Sequence, residues 1–185
     1  MAYKEPDVKS SYRVHNLGKN IYETVMVRRP DKIIEFGTLE GFSTIVMAQA
    51  LKEIGSGHIY AYDLWERYEY THSDEQTLRD NLKKYDVEDF VTIKQVDFWD
   101  WIKDPEQFDL MHLDISNTGD ILLALHEAVR DQIKNGSAIL FEGGSKQRDE
   151  EPWMTKYNKE KMYPLKEKIN YSVLNDNWPS VSIME

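Results

Sequence analysis

Acids and glycines cluster where apolar runs of the chain end, and their spacing suggests a ligand site. In Lys32-Ile33-Ile34-Glu35-Phe36-Gly37-Thr38-Leu39-Glu40-Gly41-Phe42-Ser43-Thr44, an apolar run meets a carboxylate, two glycines and a serine that starts a helix. Gly37 can take a positive φ and turn the chain sharply. Gly41 lets the helix start approach a strand or a ligand with no Cβ in the way. The first turn of that helix offers free N–H groups, which suit a carboxylate or another anion. Glu35 offers the opposite chemistry, accepting from an ammonium or a water. A ligand with an amino-acid end would use both. On the glycines alone, a plain tight turn is the better account.

Two further acids change that weighting. Asp63 closes the apolar run HIYAYDL, 22 residues after Gly41. An acid at about 20 residues past a glycine loop can accept from both hydroxyls of a ribose. Asp97 ends Val91 to Val96 and is followed by Phe98. It suits an adenine amino group, with the phenyl ring as a wall; a strand-ending acid before a core Phe explains the pair equally well. Asp114 and Glu142 end two more apolar runs. By position both face the same rim, Asp114 first and Glu142 next as a contact to substrate or as a base. His112 lies inside a strand and reads as a structural histidine, hydrogen-bonded in the core. His15 and His72 lie in segments that could roof the cleft. The aromatic run Trp65 to His72 and the pair Trp99 and Trp101 suit either a ligand wall or ordinary packing.

These residues need a scaffold, and the hydrophobic pattern supplies one. Val14, Leu17, Ile21 and Val25 recur at helical spacing, and Pro30 stops that helix. Strands are predicted over 32–36, 58–64, 91–96, 108–115 and 137–142. Helices are predicted from Ser43 to Ile54, after a Ser73–Gln76 capping box, and from Ile121 to Lys134. Residues 145–168 are polar and weakly patterned, an insertion that could act as a lid. The last residues read as two strands around Asn-Asp-Asn-Trp-Pro. Strands alternating with helices imply an α/β fold. The sheet is Rossmann-like and mostly parallel, with seven strands, a C-terminal antiparallel hairpin and helices on both faces. The 185 residues are expected to form a single domain, with 1–30 as an N-terminal helical segment.

Composition narrows the function classes. A formal net charge of -10 argues against nucleic acid as a partner. There is no cysteine, hence no disulfide framework and no thiolate chemistry. The apolar runs are strand-sized, so no membrane span is expected, and no signal peptide is evident. A cytoplasmic protein with a small-molecule substrate is the expectation, and a homodimer is left open.

The pattern Glu35-Phe36-Gly37-x-x-x-Gly41-Phe42-Ser43 resembles the first motif of class I S-adenosylmethionine-dependent methyltransferases. It is nearest to the small-molecule O-methyltransferases of the catechol and caffeoyl-coenzyme-A type. Asp63, Asp97-Phe98, the stretch Phe108 to Asp114 and the closing hairpin match later motifs in order, so the resemblance spans nearly the whole chain. It implies S-adenosylmethionine as cofactor. Glu35, Gly37, Thr38, Gly41 and Ser43 would surround its methionine end. Asp63 with Leu64 would hold the ribose, Asp97 and Phe98 the adenine, and Asp114 would stand at the reacting end. The resemblance further implies transfer of a methyl group to an acceptor, most plausibly a hydroxyl, with nitrogen as the other acceptor atom. One departure concerns metal. The metal-dependent branch carries Asp-Asn after strand five, where this chain has Glu142-Gly143-Gly144. Asp114 and Glu142 could give a magnesium ion two oxygens, but a required metal is not favoured. Two other functions stay open, a non-catalytic S-adenosylmethionine-binding protein and a NAD-dependent oxidoreductase. Leu39, where a dinucleotide loop wants glycine, disfavours the second.

Overall fold

The computed structural model describes residues 3–67 and 73–185. His72 and the run from Tyr68 to Thr71 therefore lie outside the described residues. The strands are β1 (Lys32–Phe36), β2 (His58–Asp63), β3 (Val91–Gln95), β4 (Leu110–Leu113), β5 (Ala138–Glu142), β6 (Tyr171–Asn175) and β7 (Val181–Met184). They form one seven-stranded sheet in the order β3-β2-β1-β4-β5-β7-β6. The first five pair in parallel, and β7 runs antiparallel to both β5 and β6. This is the doubly wound architecture with a terminal hairpin that the alternating pattern implies. The order reverses at β1, beside β4, which opens a crevice at the carboxyl ends of the strands.

The longer helices are α1 (Leu17–Arg28), α2 (Phe42–Ile54), α3 (Glu75–Lys84) and α5 (Gly119–Lys134). Short turns of helix follow β3 as α4 (Phe98–Trp101), and β5 as α6 (Lys146–Asp149) and α7 (Pro152–Lys156). The predicted insertion 145–168 is thus two short helices and a 3-10 turn at Tyr163–Glu167. Two local readings need correction. The cap of α3 is Asp74, whose carboxylate accepts from Thr77 N, and Ser73 stands one residue outside it. Val14 is exposed and precedes α1, because His15 and Asn16 take left-handed backbone and break the period. Among the described residues no helix is long and apolar enough to cross a membrane.

Strand alternation splits the core into two layers. Ile33, Ile59, Ala61, Leu110 and Leu140 face α1 and α2. Ile34, Tyr62, Met111, Leu113 and Phe141 face α4 and α5. The register aligns Glu35 with His112, and His112 with Leu140. By the same alternation Glu35, His112, Asp114 and Glu142 share the first face. At this end of the sheet that face is polar, and the N-terminal 3-10 turn Ser11–Arg13 covers it with the buried Tyr12.

Candidate active site

At the ends of β1, β2 and β3 lies a cavity of about 540 Å³. Gly37, Asp63, Leu64, Asp97, Phe98 and Asp114 all line it, together with Tyr62, Trp65, Trp99, Ile115 and Ile121. Turn residues hold its two outer acids, Thr38 of the turn after β1 among them. Asp63 Oδ2 accepts from Thr38 N at 2.8 Å and Thr38 Oγ1 at 3.0 Å, and Oδ1 from Leu64 N at 2.7 Å. Asp97 caps α4, its Oδ1 accepting from Trp99 N at 2.7 Å and Asp100 N at 3.3 Å. The Ser73 hydroxyl, also on the cavity wall, is buried and has no hydrogen-bond partner among the described residues.

Gly37 is dictated by close approach. Its φ is +86°, and a Cβ there would lie 1.9 Å from the Asp114 carbonyl oxygen. The missing side chain lets the β1 turn press against the end of β4, where Asp114 N donates to Phe36 O at 2.8 Å. Gly41 serves helix packing instead, since a Cβ would strike Leu78 of α3 at 2.4 Å.

Glu35 was expected to meet a ligand's ammonium, but it stands elsewhere. Its carboxylate is fully buried under the start of α2. It accepts from the hydroxyls of Ser43 and Thr44 and from His112 Nδ1 at 3.1 Å. Thr38, Gly41 and Ser43 likewise shape the turn from behind the cavity wall. Glu35 and Ser43 tie the helix start to the strand end, and His112 is the hydrogen-bonded core histidine that its strand position suggests.

The acids of β4 and β5 are held by side chains, Asn117 three residues past Asp114 and Arg148 six past Glu142, with Asn117 also reaching across to Glu142. Asn117 Nδ2 donates to Asp114 Oδ1 at 2.9 Å and to Glu142 Oε2 at 3.0 Å. Arg148 grips Glu142 with two bonds, Nε to Oε1 at 2.8 Å and Nη2 to Oε2 at 3.0 Å. Both partners are buried. Burial and the neighbouring Glu142 carboxylate push Asp114 up to about 7, against the opposing pull of His112. Burial also raises Glu142, opposed by Arg148 and Asn117. Tyr12 lies in the same group, its ring 5.7 Å from that of His112. Burial first, then the charges of Asp114 and Glu142, raise its phenol well above the usual range. The Tyr12 hydroxyl, His112 Nε2 and Asn117 Oδ1 are all buried without a hydrogen-bond partner among the described residues. Unpaired polar atoms around an acid near neutrality can bind and deprotonate a polar substrate.

These residues do not fit a divalent metal. A hard cation needs several free oxygens, and both oxygens of Glu142 are committed to a guanidinium. Among the described residues no group of three His, Cys, Asp or Glu side chains could hold a metal ion.

The model of a family described as "Methyltransferase domain" matches residues 34–142, more than half of the chain. The chain belongs to this methyltransferase family. A search of curated protein sequences finds no match. Solved structures agree in fold. Cofactor-bound Rv0187 from MTB superposes with a TM-score of 0.68 at 16% identity, over 97% of this chain and 82% of that one. The O-methyltransferase TomG from Streptomyces achromogenes, in complex with SAM, gives 0.62 at 17% identity, over 97% and 82%. The O-methyltransferase from Bacillus cereus, in complex with SAH, gives 0.62 at 18% identity, over 97% and 84%. The region matched to the family runs from β1 to the end of β5, and so contains every acid of the methyltransferase's rim. Outside it lie Tyr12 and Arg148, which the sequence reading missed. Neither stands in a motif. The one available signal was a pair of basic residues, Lys146 and Arg148, just past the Gly143-Gly144 turn.

Proposed function

We propose that this methyltransferase transfers the methyl group of S-adenosylmethionine to a hydroxyl of a small-molecule acceptor. The observation that supports it is the joint lining of one cavity by Asp63, Asp97 and Asp114. The residues present suit the cofactor. The cavity is mixed in polarity, with carboxylates for hydroxyl and amino hydrogens, apolar walls in Leu64 and Phe98, and the unpaired Ser73 hydroxyl. Asp63 and Leu64 would take the ribose, and Asp97 and Phe98 the adenine. Gly37 and Thr38 would border the methionine end, with Glu35, Gly41 and Ser43 fixing that turn from below. A cytoplasmic setting and a single domain over 1–185 fit this reading.

Bound S-adenosylmethionine supplies a methyl group already activated by its sulfonium. The protein then has to align the acceptor and remove a proton. As the methyl group passes to the acceptor oxygen and leaves the neutral thioether S-adenosylhomocysteine behind, Asp114 would take the proton of the acceptor hydroxyl. Its displacement to about 7 suits that task near neutral pH. Asn117 orients Asp114, and Tyr12 stands beside that acid. Glu142 acts through Asp114, holding Asn117 in place and raising the acid by its own charge.

The test is a melting series with S-adenosylhomocysteine, S-adenosylmethionine and NAD, followed by turnover against a panel of acceptors. A ligand at a hundred times its dissociation constant should stabilise by about 2.7 kcal/mol. The first two compounds should shift the melt and NAD should not. A shift with NAD alone would move the chain to the oxidoreductases. A shift with S-adenosylhomocysteine and no turnover on any acceptor would make it a binding protein.

A further inference from the structure

We propose that the Arg148 guanidinium is the built-in cation of this site, standing where a divalent metal would otherwise join Glu142 to Asp114, so that the protein works without metal. The geometry around it is that of a built site. Arg148 is 4% exposed and meets both oxygens of Glu142. Its Nη2 donates to Asn117 O at 3.1 Å, its Nη1 to Met154 Sδ at 3.1 Å, and its Cζ lies 4.4 Å from the centre of the Trp153 ring.

The chain is shaped to bring it there. Gly143 and Gly144 both take positive φ just after β5 and fold the backbone back. A Cβ on Gly143 would lie 2.0 Å from Met162 Cε, so only glycine turns here without displacing the packing. Ser145 then caps α6, its Oγ accepting from Arg148 N at 3.1 Å. The same Asn117 that bridges Asp114 and Glu142 gives its carbonyl to Arg148, which closes the cluster.

Charge explains why a cation is needed. Two buried carboxylates joined by one amide repel each other, and a buried acid left without a counter-charge is costly. A guanidinium stays charged at any working pH and fits a carboxylate with two parallel bonds. A metal would supply its charge only when bound. Unlike a metal, Arg148 has its donors committed to Glu142, Asn117 and Met154, so it does not activate the acceptor. Proton removal is left to Asp114.

The inference rests on the methyl-transfer reading only in taking this rim as the reacting end. Its test needs no turnover, so its failure is separable from a failure of S-adenosylhomocysteine to bind. Chelator-treated wild type is titrated with Mn2+ to millimolar concentration and followed by the paramagnetic resonance of free Mn2+ and by melting. Neither should change. Arg148→Ala should melt lower than wild type without metal, take up one Mn2+ per chain, and recover several degrees of melting temperature. The Glu142→Gln/Arg148→Ala pair should take up none. Folding of Arg148→Ala only when Mn2+ is present would also support the proposal. Stoichiometric Mn2+ uptake by wild type, lost in Asp114→Asn, would overturn it. So would an Arg148→Ala protein that folds and ignores Mn2+, or one that folds in neither condition, because the metal could then not replace the guanidinium.

Discussion

The two halves of the sheet rim hold their carboxylates in different ways. At the ends of β2 and β3, Asp63 and Asp97 accept mainly from backbone N–H groups one to three residues ahead, with Thr38 added to Asp63. Those donors do not titrate; apart from Thr38, which comes from the turn after β1, they belong to the turn that follows each acid. At the ends of β4 and β5, Asp114 and Glu142 are held by the side chains of Asn117 and Arg148, beneath Tyr12. Burial and mutual repulsion act there, and Asp114 moves from 3.8 to about 7. On the proposed reading, one residue type thus serves as a fixed acceptor for ligand hydroxyls on one side and as a proton acceptor on the other. The surroundings decide the role.

The largest effect should come from the buried half. Asp114→Asn keeps the shape and an acceptor for Asn117 but cannot take a proton. Its kcat should fall by about 10²–10⁴, while S-adenosylhomocysteine titration gives an affinity close to wild type. The wild-type rate should rise with pH through about 7, as Asp114 ionises, and the variant should lose that rise. The same substitution should change stability in the opposite sense. Between the unfolded value of 3.8 and about 7, the folded chain keeps this proton and the unfolded chain releases it. Wild-type stability therefore falls as pH rises through that window. Melting at pH 8 should show Asp114→Asn the more stable protein, with the gain absent at pH 4. A variant that keeps full turnover would remove the proposed division of labour.

The open half should answer in binding. Asp63→Asn keeps the size of the side chain but loses the charge and one acceptor. Hydrogen bonds to charged groups contribute about 1.5–3 kcal/mol, so S-adenosylhomocysteine should bind about 10- to 100-fold more weakly by calorimetry. At saturating cofactor, kcat should change far less than in Asp114→Asn. A variant that loses apo melting temperature in step with affinity would make Asp63 a turn residue, holding Thr38 and Leu64 and nothing more.

The same contrast explains what the sequence revealed. The succession of strands and helices, the closing hairpin and the placing of Asp63, Asp97 and Asp114 at strand ends follow from local signals. Each acid ends an apolar run, and the glycine turn before α2 announces the crevice. The buried half was legible only as two acids. Tyr12 is about a hundred residues from Asp114 in sequence, and no periodicity joins them. Arg148 sits in a polar stretch that reads as solvated surface, and only the fold over Gly143 and Gly144 sends it inward. Glu35 illustrates the converse. Its motif was legible, but its partners Ser43, Thr44 and His112 turn it away from the cavity. A motif fixes a residue's place along a strand, while the side chains packed around that place fix what the residue touches.

The smallest effect should come from Tyr12→Phe, and it probes the boundary between the halves. The Tyr12 hydroxyl is buried beside Asp114 and makes no well-formed hydrogen bond among the described residues, while its ring packs against Phe42 and His112. Phenylalanine keeps the ring contacts and removes a hydroxyl that faces Asp114, so the lost interaction and the relieved desolvation act in opposite directions. Folding stability should therefore stay within about 0.5 kcal/mol of wild type. If that hydroxyl exists to meet the acceptor, the acceptor's KM should rise about tenfold, the equivalent of one hydrogen bond. S-adenosylhomocysteine affinity should not move, because Tyr12 is not among the residues lining the cavity. A loss of several degrees in melting temperature with an unchanged KM would reverse this account. The hydroxyl would then be a structural partner of Asp114, and the N-terminal turn a fixed cover over the buried acids rather than a wall of the acceptor site.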